Sequence, residues 1–182
     1  PIMTLDARQS VLLIIDLQER LLPAIDQGCA VIDHSAWLIG IARHLNVPIL
    51  LTEQYPQGLG PTAPAIAQLI APDERLEKIH FSAVAEGNLL SHAAGNRKQW
   101  VVCGTESHVC VQQTVLDLLA AGRRVSVVEE AVGSRQPRDK ALALERMRQH
   151  GADIVSREMV AFEWLHQANT PQFRAALKDF IR

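Results

Sequence analysis

The sequence predicts a single α/β domain, a parallel, doubly wound sheet of about six strands in the order 3-2-1-4-5-6 with helices on both faces. Three observations predict it. Apolar runs of five or six residues rich in Val and Ile recur along the chain, as strands buried on both faces require. Amphipathic stretches separate these runs, and no linker, repeat or low-complexity segment interrupts them, so right-handed βα units follow one another. At 182 residues, one domain buries about 70% of its unfolded surface, which is core enough without disulfides.

In order, strands are expected at 11–16, 47–52, 76–79, 100–104, 125–129 and 154–156, the third having the weakest apolar run. A helix over 30–45 follows from Val31, Ile32, Trp37, Leu38, Ile41 and Leu45 on one face, closed by Asn46 and Pro48. Val111, Val115, Leu118 and Leu119 mark a second helix over 109–121, with Gly122 at its C-terminal cap. A third spans 137–150, with Pro137 in its first turn and Gly151 past its end. A last pair, around 160–167 and 171–181, packs outside the sheet. There, Phe162, Trp164 and Phe173 suit either a cover for the sheet or the interface of a homo-oligomer.

Charge and cysteine usage narrow the function classes. Lys and Arg total 18 against 20 for Asp and Glu, and a net charge of -2 provides no field for a phosphate backbone, so nucleic acid is not the expected partner. The apolar run at 11–15 is far short of the ~20 residues of a membrane span, and neither a membrane nor an export segment is expected. Three cysteines favour reduced thiols and a cytoplasmic location.

In a sheet of this class ligands bind beyond the carboxyl ends of the strands, so chemistry is sought there. Asp16 leaves the most apolar strand, where a charge is costly unless used or paired; the alternative is a cap for the following turn. Cys110 falls in Gly104-Thr105-Glu106-Ser107-His108-Val109-Cys110-Val111, a strand-to-helix turn. In the first helical turn, unpaired N–H groups and the helix dipole favour a thiolate, so its pKa is expected below the free value of ~8.5. The alternative is a small buried hydrophobe, the reading given to Cys103, while Cys29 is read as structural. Lys78, at the end of the weak third strand, matters if it shares a crevice with the other two, where it would keep Asp16 ionised and favour the thiolate. His80 and His108 each stand near a strand end as possible bases or pocket residues. No zinc-ligand spacing occurs, and neither a metal nor a cofactor is expected.

Gly58-Leu59-Gly60 with Ala63, and Glu77 some way on, matches a loose dinucleotide pattern. Against it, Glu53 to Gln57 separate the strand from the first glycine, and Pro61 and Pro64 remove N–H donors a pyrophosphate needs. A loop presenting Glu53, Gln54 and Tyr55 to a small substrate is the better use of the segment.

Leu-Ile-Ile-Asp-Leu-Gln at 13–18, Lys78 before His-Phe-Ser, and Gly-Thr-Glu-Ser-His-Val-Cys-Val at 104–111 together resemble the isochorismatase-like cysteine hydrolases. Thr-Glu-Gln-Tyr-Pro-Gln-Gly-Leu-Gly-Pro-Thr at 52–62 looks like the isochorismatase-domain branch whose substrates are mostly unassigned. The resemblance implies a Rossmann-like three-layer domain over the whole chain and a catalytic triad of Asp16, Lys78 and Cys110, expected within about 4 Å of one another. It also implies a cis peptide between Thr105 and Glu106, with the N–H groups of Glu106 and Cys110 forming an oxyanion hole. Gln18, Glu53, Tyr55 and His108 are the candidate substrate contacts. The implied reaction is hydrolysis of a small amide, ureide or related carbonyl compound through a Cys110 thioester. Nicotinamidases of the superfamily carry an Asp and two His residues for a metal after the second strand; Glu53-Gln54-Tyr55 stands there instead. The rival expectation is a non-catalytic or thiol-redox protein that retains the fold.

Overall fold

The computed structural model describes residues 3–181. Its sheet is parallel and six-stranded, with β1 (Ser10–Ile15), β2 (Ile49–Gln54), β3 (Arg75–Lys78), β4 (Gln99–Thr105), β5 (Arg124–Gly133) and β6 (Asp153–Val155). They lie in the order β3-β2-β1-β4-β5-β6, as the sequence predicts. Eight α-helices occur among the described residues: α1 (Gly28–His44), α2 (Pro56–Leu59), α3 (Pro64–Ala67), α4 (Ala83–Glu86), α5 (Gln112–Ala120), α6 (Pro137–Gln149), α7 (Arg157–Leu165) and α8 (Pro171–Asp179).

Alternation along the central strands divides the core into two layers. Leu12 and Ile14 of β1, Leu51 of β2 and Val101 of β4 face α1, α7 and α8 through Leu38, Ile41, Val160 and Ala176. Val11, Leu13 and Ile15 face the opposite layer, where Val115 and Leu118 of α5 and Met147 of α6 close the core. Trp164 is buried and its Nε1 donates to Ser10 Oγ at 3.0 Å, so this aromatic covers the sheet. Phe162 remains 43% exposed and meets Phe173 with the rings tilted at 58° and their centroids 6.1 Å apart.

The helix ends follow the local chemistry. Asn46 is left-handed (φ 58°), and Val47 N–H donates back to Ala42 O at 2.8 Å, the closure of a Schellman motif. Gly122 closes α5 in the same way, with Arg123 N–H on Leu118 O at 3.0 Å.

Two strands run further than their apolar patterns. β2 includes Glu53 and Gln54, so these residues are strand and not loop. β5 continues past Glu129 and Glu130 to Gly133, because an irregularity between Val102 and Gly104 moves the pairing from Val127 to Val132. Gly104 itself is at φ +119°, and a Cβ there would lie 2.0 Å from Ile15 O. Both the backbone angle and this close approach of β4 to β1 require glycine. Gly104→Ala is expected to cost more than about 4 kcal/mol in urea unfolding, at the extreme of single-substitution effects.

Candidate active site

The carboxyl ends of β1, β2, β3 and β4 gather a cluster of buried polar groups. Asp16 follows β1 in a left-handed conformation (φ 50°) and is fully buried. Its Oδ1 accepts from Thr52 Oγ1 at 2.8 Å, and its Oδ2 accepts from Lys78 Nζ at 3.0 Å. Thr105 Oγ1 donates to the Asp16 carbonyl at 2.6 Å, tying the end of β4 to the same turn. The Thr105–Glu106 peptide bond is cis.

Lys78 lies two strands from β1, a span of about 10 Å, and its side chain makes that crossing. Its register partner in β2 is Gln54, whose Oε1 accepts from Nζ at 2.6 Å. The carbonyls of His80 and Phe81 accept from Nζ at 3.3 and 3.0 Å. Four acceptors thus hold an ammonium that is 1% exposed, and the burial of a charge is compensated as it must be.

Cys110 sits in a π-helical turn, Ser107–Val111, that leads into α5. Its Sγ stands 3.9 Å from Gln54 Oε1, which also accepts from Lys78, and Cys110 lines the same cavity as Asp16, whose carboxylate acts on the thiol. Asp16, Lys78 and Cys110 therefore converge. The expected thiolate is corrected: the Cys110 thiol is pushed up to about 12, first by burial and then by the adjacent Asp16 carboxylate, against which Lys78 is the weaker influence. The competition of signs came out opposite to the expectation because the π-turn buries the sulfur (5% exposed) before the helix terminus can act on it. Burial likewise raises the Asp16 carboxyl above its ordinary value, opposed by Lys78 and by hydrogen bonds from Cys110 and Thr52.

Asp16 and Cys110 open into a cavity of about 310 Å³, whose walls include Leu21, Leu59, Phe81 and Val109, with Gln54, Glu106 and Arg135 as its other polar residues. Of the expected substrate contacts, none of Gln18, Glu53, Tyr55 and His108 lines this cavity. Gln18 is a clip: its Nε2 donates to Gln54 O and Gly60 O, both at 2.9 Å, and its Oε1 accepts from Gln54 N–H at 2.7 Å. Glu53 points to the opposite face from Gln54 and accepts from Thr62 N–H and Oγ1 at 2.8 and 2.7 Å. Together they pin the 55–62 segment to the sheet, which gives the Gly58-Leu59-Gly60 loop a structural use. Tyr55 is 54% exposed beside a separate surface hollow with Pro56 and Glu86. His108 bonds Ser134 Oγ through Nδ1 at 2.8 Å and faces another hollow toward Asp139. His80 is held on the surface by Glu86, Nδ1 to Oε1 at 2.8 Å, and has no part in the cavity. Cys103 is buried in the other core layer with its thiol pushed up to about 12 by burial, and Cys29 is exposed. Among the described residues no group of three His, Cys, Asp or Glu side chains could hold a metal ion.

The residues the sequence reading left out are Arg135 and the cavity walls. β2 reaches Gln54, so Thr52 and Gln54, two apart, share the face toward Asp16. β5 reaches Gly133, which puts Arg135 just past a strand end. Ending that strand at Glu129 hid the position.

A family model of the isochorismatase domain matches residues 10–159. The chain is 39% identical over 170 residues to the mouse isochorismatase domain-containing protein 2A, covering 93% of this chain and 81% of that protein. It is 38% identical over 175 residues to a secreted isochorismatase effector, Isc1, of Phytophthora sojae, covering 93% and 83%. A solved structure titled as the MAR1 ribonuclease of Caenorhabditis elegans superposes with a TM-score of 0.88 at 33% identity, covering 96% of this chain and 91% of that one. No helix among the described residues is long and apolar enough to cross a membrane. With most of its length matched by that domain model and with relatives at this identity, the chain belongs to the isochorismatase domain family.

Proposed function

We propose that the protein is a hydrolase acting on a small carbonyl substrate, an amide or ureide, with Cys110 as nucleophile and Asp16 as proton carrier. The observation that carries this reading is the buried contact of a thiol with a carboxylate that a lysine holds in place, at the floor of a small cavity. A protonated thiol beside an ionised carboxylate needs no resting thiolate. As Sγ bonds to the carbonyl carbon, its proton passes to Asp16 and the carbonyl electron pair moves onto oxygen. The N–H groups of Glu106 and Cys110 are assigned to that oxyanion. Collapse of the intermediate expels the amine, which takes the proton from Asp16. Water then attacks the thioester, Asp16 receiving its proton and returning it to Sγ.

Lys78 acts through Asp16, keeping the carboxylate ionised and oriented despite burial. The thiol-redox alternative finds no partner sulfur: Cys103 belongs to the opposite core layer and all three cysteines are free.

A screen of small amides, ureides and esters, with Cys110→Ala as the blank, tests the proposal. Turnover in the wild type that Cys110→Ala loses is the expected result, and equal rates in both proteins would overturn it. An RNA oligonucleotide belongs in the same screen, because the C. elegans relative is titled a ribonuclease; no Cys110-dependent cleavage of it is expected.

A further inference from the structure

Five ionisable or amide side chains other than Cys110 meet at or beneath the cavity, and three of them, Asp16, Lys78 and Gln54, are bonded into one network. Asp16 takes Thr52 and Lys78 on its two oxygens. Lys78 has four acceptors. Gln54 Nε2 donates to Ile79 O at 2.7 Å, and its Oε1 accepts from Lys78 Nζ. The other two are Glu106 and Arg135. The backbone N–H and the Nε of Arg135 both donate to Glu106 Oε2, at 3.1 and 3.0 Å. Among the described residues the guanidinium has no other hydrogen-bond partner, so its two terminal nitrogens are unspent.

The Glu106 contact fixes the inner edge of the guanidinium and pairs its charge, with the Arg135 side chain 57% exposed and that of Glu106 10%. The remaining fork is the geometry that binds a carboxylate through two parallel hydrogen bonds. Leu21, Leu59, Phe81 and Val109 give the cavity that Arg135 shares with Cys110 its apolar lining. Building on the nucleophile reading above, we infer that Arg135 is a specificity residue that selects substrates carrying a carboxylate, separated by a short apolar spacer from the carbonyl that Cys110 attacks.

Iodoacetate and iodoacetamide test this without knowledge of the substrate. Each alkylates a thiol: the S–C bond forms, the C–I bond breaks, iodide leaves and the thiol proton is released. They differ in that one carries a carboxylate and the other a neutral amide. The ratio of their rates at one cysteine cancels the thiolate fraction, and Cys29, exposed and outside the cavity that Arg135 lines, supplies the reference ratio. Peptide mass spectrometry of the full chain reads both sites. The expected iodoacetate-to-iodoacetamide ratio at Cys110 exceeds that at Cys29 by about tenfold, the equivalent of roughly 1.4 kcal/mol. Arg135→Gln brings it down to the Cys29 value, and Arg135→Lys, which keeps the charge without the fork, falls between. Equal ratios at Cys110 and Cys29 in the wild type, or a raised Cys110 ratio that survives Arg135→Gln, would overturn the role of Arg135 and leave the nucleophile standing. No labelling of Cys110 by either reagent would overturn the nucleophile and this assignment with it.

Discussion

Lys78→Met is expected to lower the unfolding free energy by about 3 to 5 kcal/mol, the cost of stranding one member of a buried ion pair. The ammonium is 1% exposed and the Asp16 carboxylate 0%, so water does not replace the lost partner. Gln54 Oε1 and the carbonyls of His80 and Phe81 lose their donor in the same step. Adding Asp16→Asn to Lys78→Met removes the stranded charge, and the double variant is expected to recover part of the loss. Urea unfolding of the three variants makes the comparison. A Lys78→Met protein as stable as the wild type would show that the pair is solvated in solution.

Asp16→Asn is expected to lower turnover by about a thousandfold, within the range of general acid–base catalysis, while alkylation of Cys110 by iodoacetamide speeds up. The opposite directions have one cause. Asp16 carries the proton that turnover needs, yet its charge is among the influences that push the Cys110 thiol up to about 12. Removing it leaves Lys78 facing the sulfur and increases the thiolate. The wild-type pH profile follows from the same groups. The working state pairs an Asp16 carboxylate with a Cys110 thiol. Burial raises the Asp16 pKa, so activity is lost as pH falls through a value above the ordinary ~3.9 for aspartate. The thiol, held up near 12, stays protonated across the neutral range and sets no limit there. Initial rates against pH, together with labelling rates for both proteins, check the two signs. Parallel losses of turnover and labelling in Asp16→Asn would remove the proton-carrier role.

The fold was legible because burial on both faces leaves a simple record, short apolar runs such as Val11–Ile15 followed by helical periods. The chemistry at strand ends was legible for Asp16, whose charge closes such a run, and for Lys78 and Cys110 chiefly through the motif resemblance. Where the record failed, polar residues lay inside strands. Glu129 and Glu130 interrupt β5 at a pairing irregularity and masked its last residues, and with them Arg135. Glu53 and Gln54 extend β2 and face opposite ways, one to a loop clip and the other to the site. Apolarity cannot mark those positions, since their burial is compensated by hydrogen bonds instead. The sign of the Cys110 shift was equally hidden. Sequence places a cysteine near a helix start but does not show that the turn is π-helical or how deeply it buries the sulfur.

The central claim is covalent catalysis at Cys110, and the most direct measurement is the mass of its tryptic peptide after acid quenching of the wild-type enzyme during turnover of an amide found in the screen. The account predicts a mass increase equal to the substrate's acyl group on the peptide 99–123, which carries both Cys103 and Cys110, with fragmentation placing it on Cys110, and no increase on the Cys29 peptide or without substrate. Turnover proceeding at full rate with an unmodified Cys110 peptide, and persisting in Cys110→Ala, would contradict it.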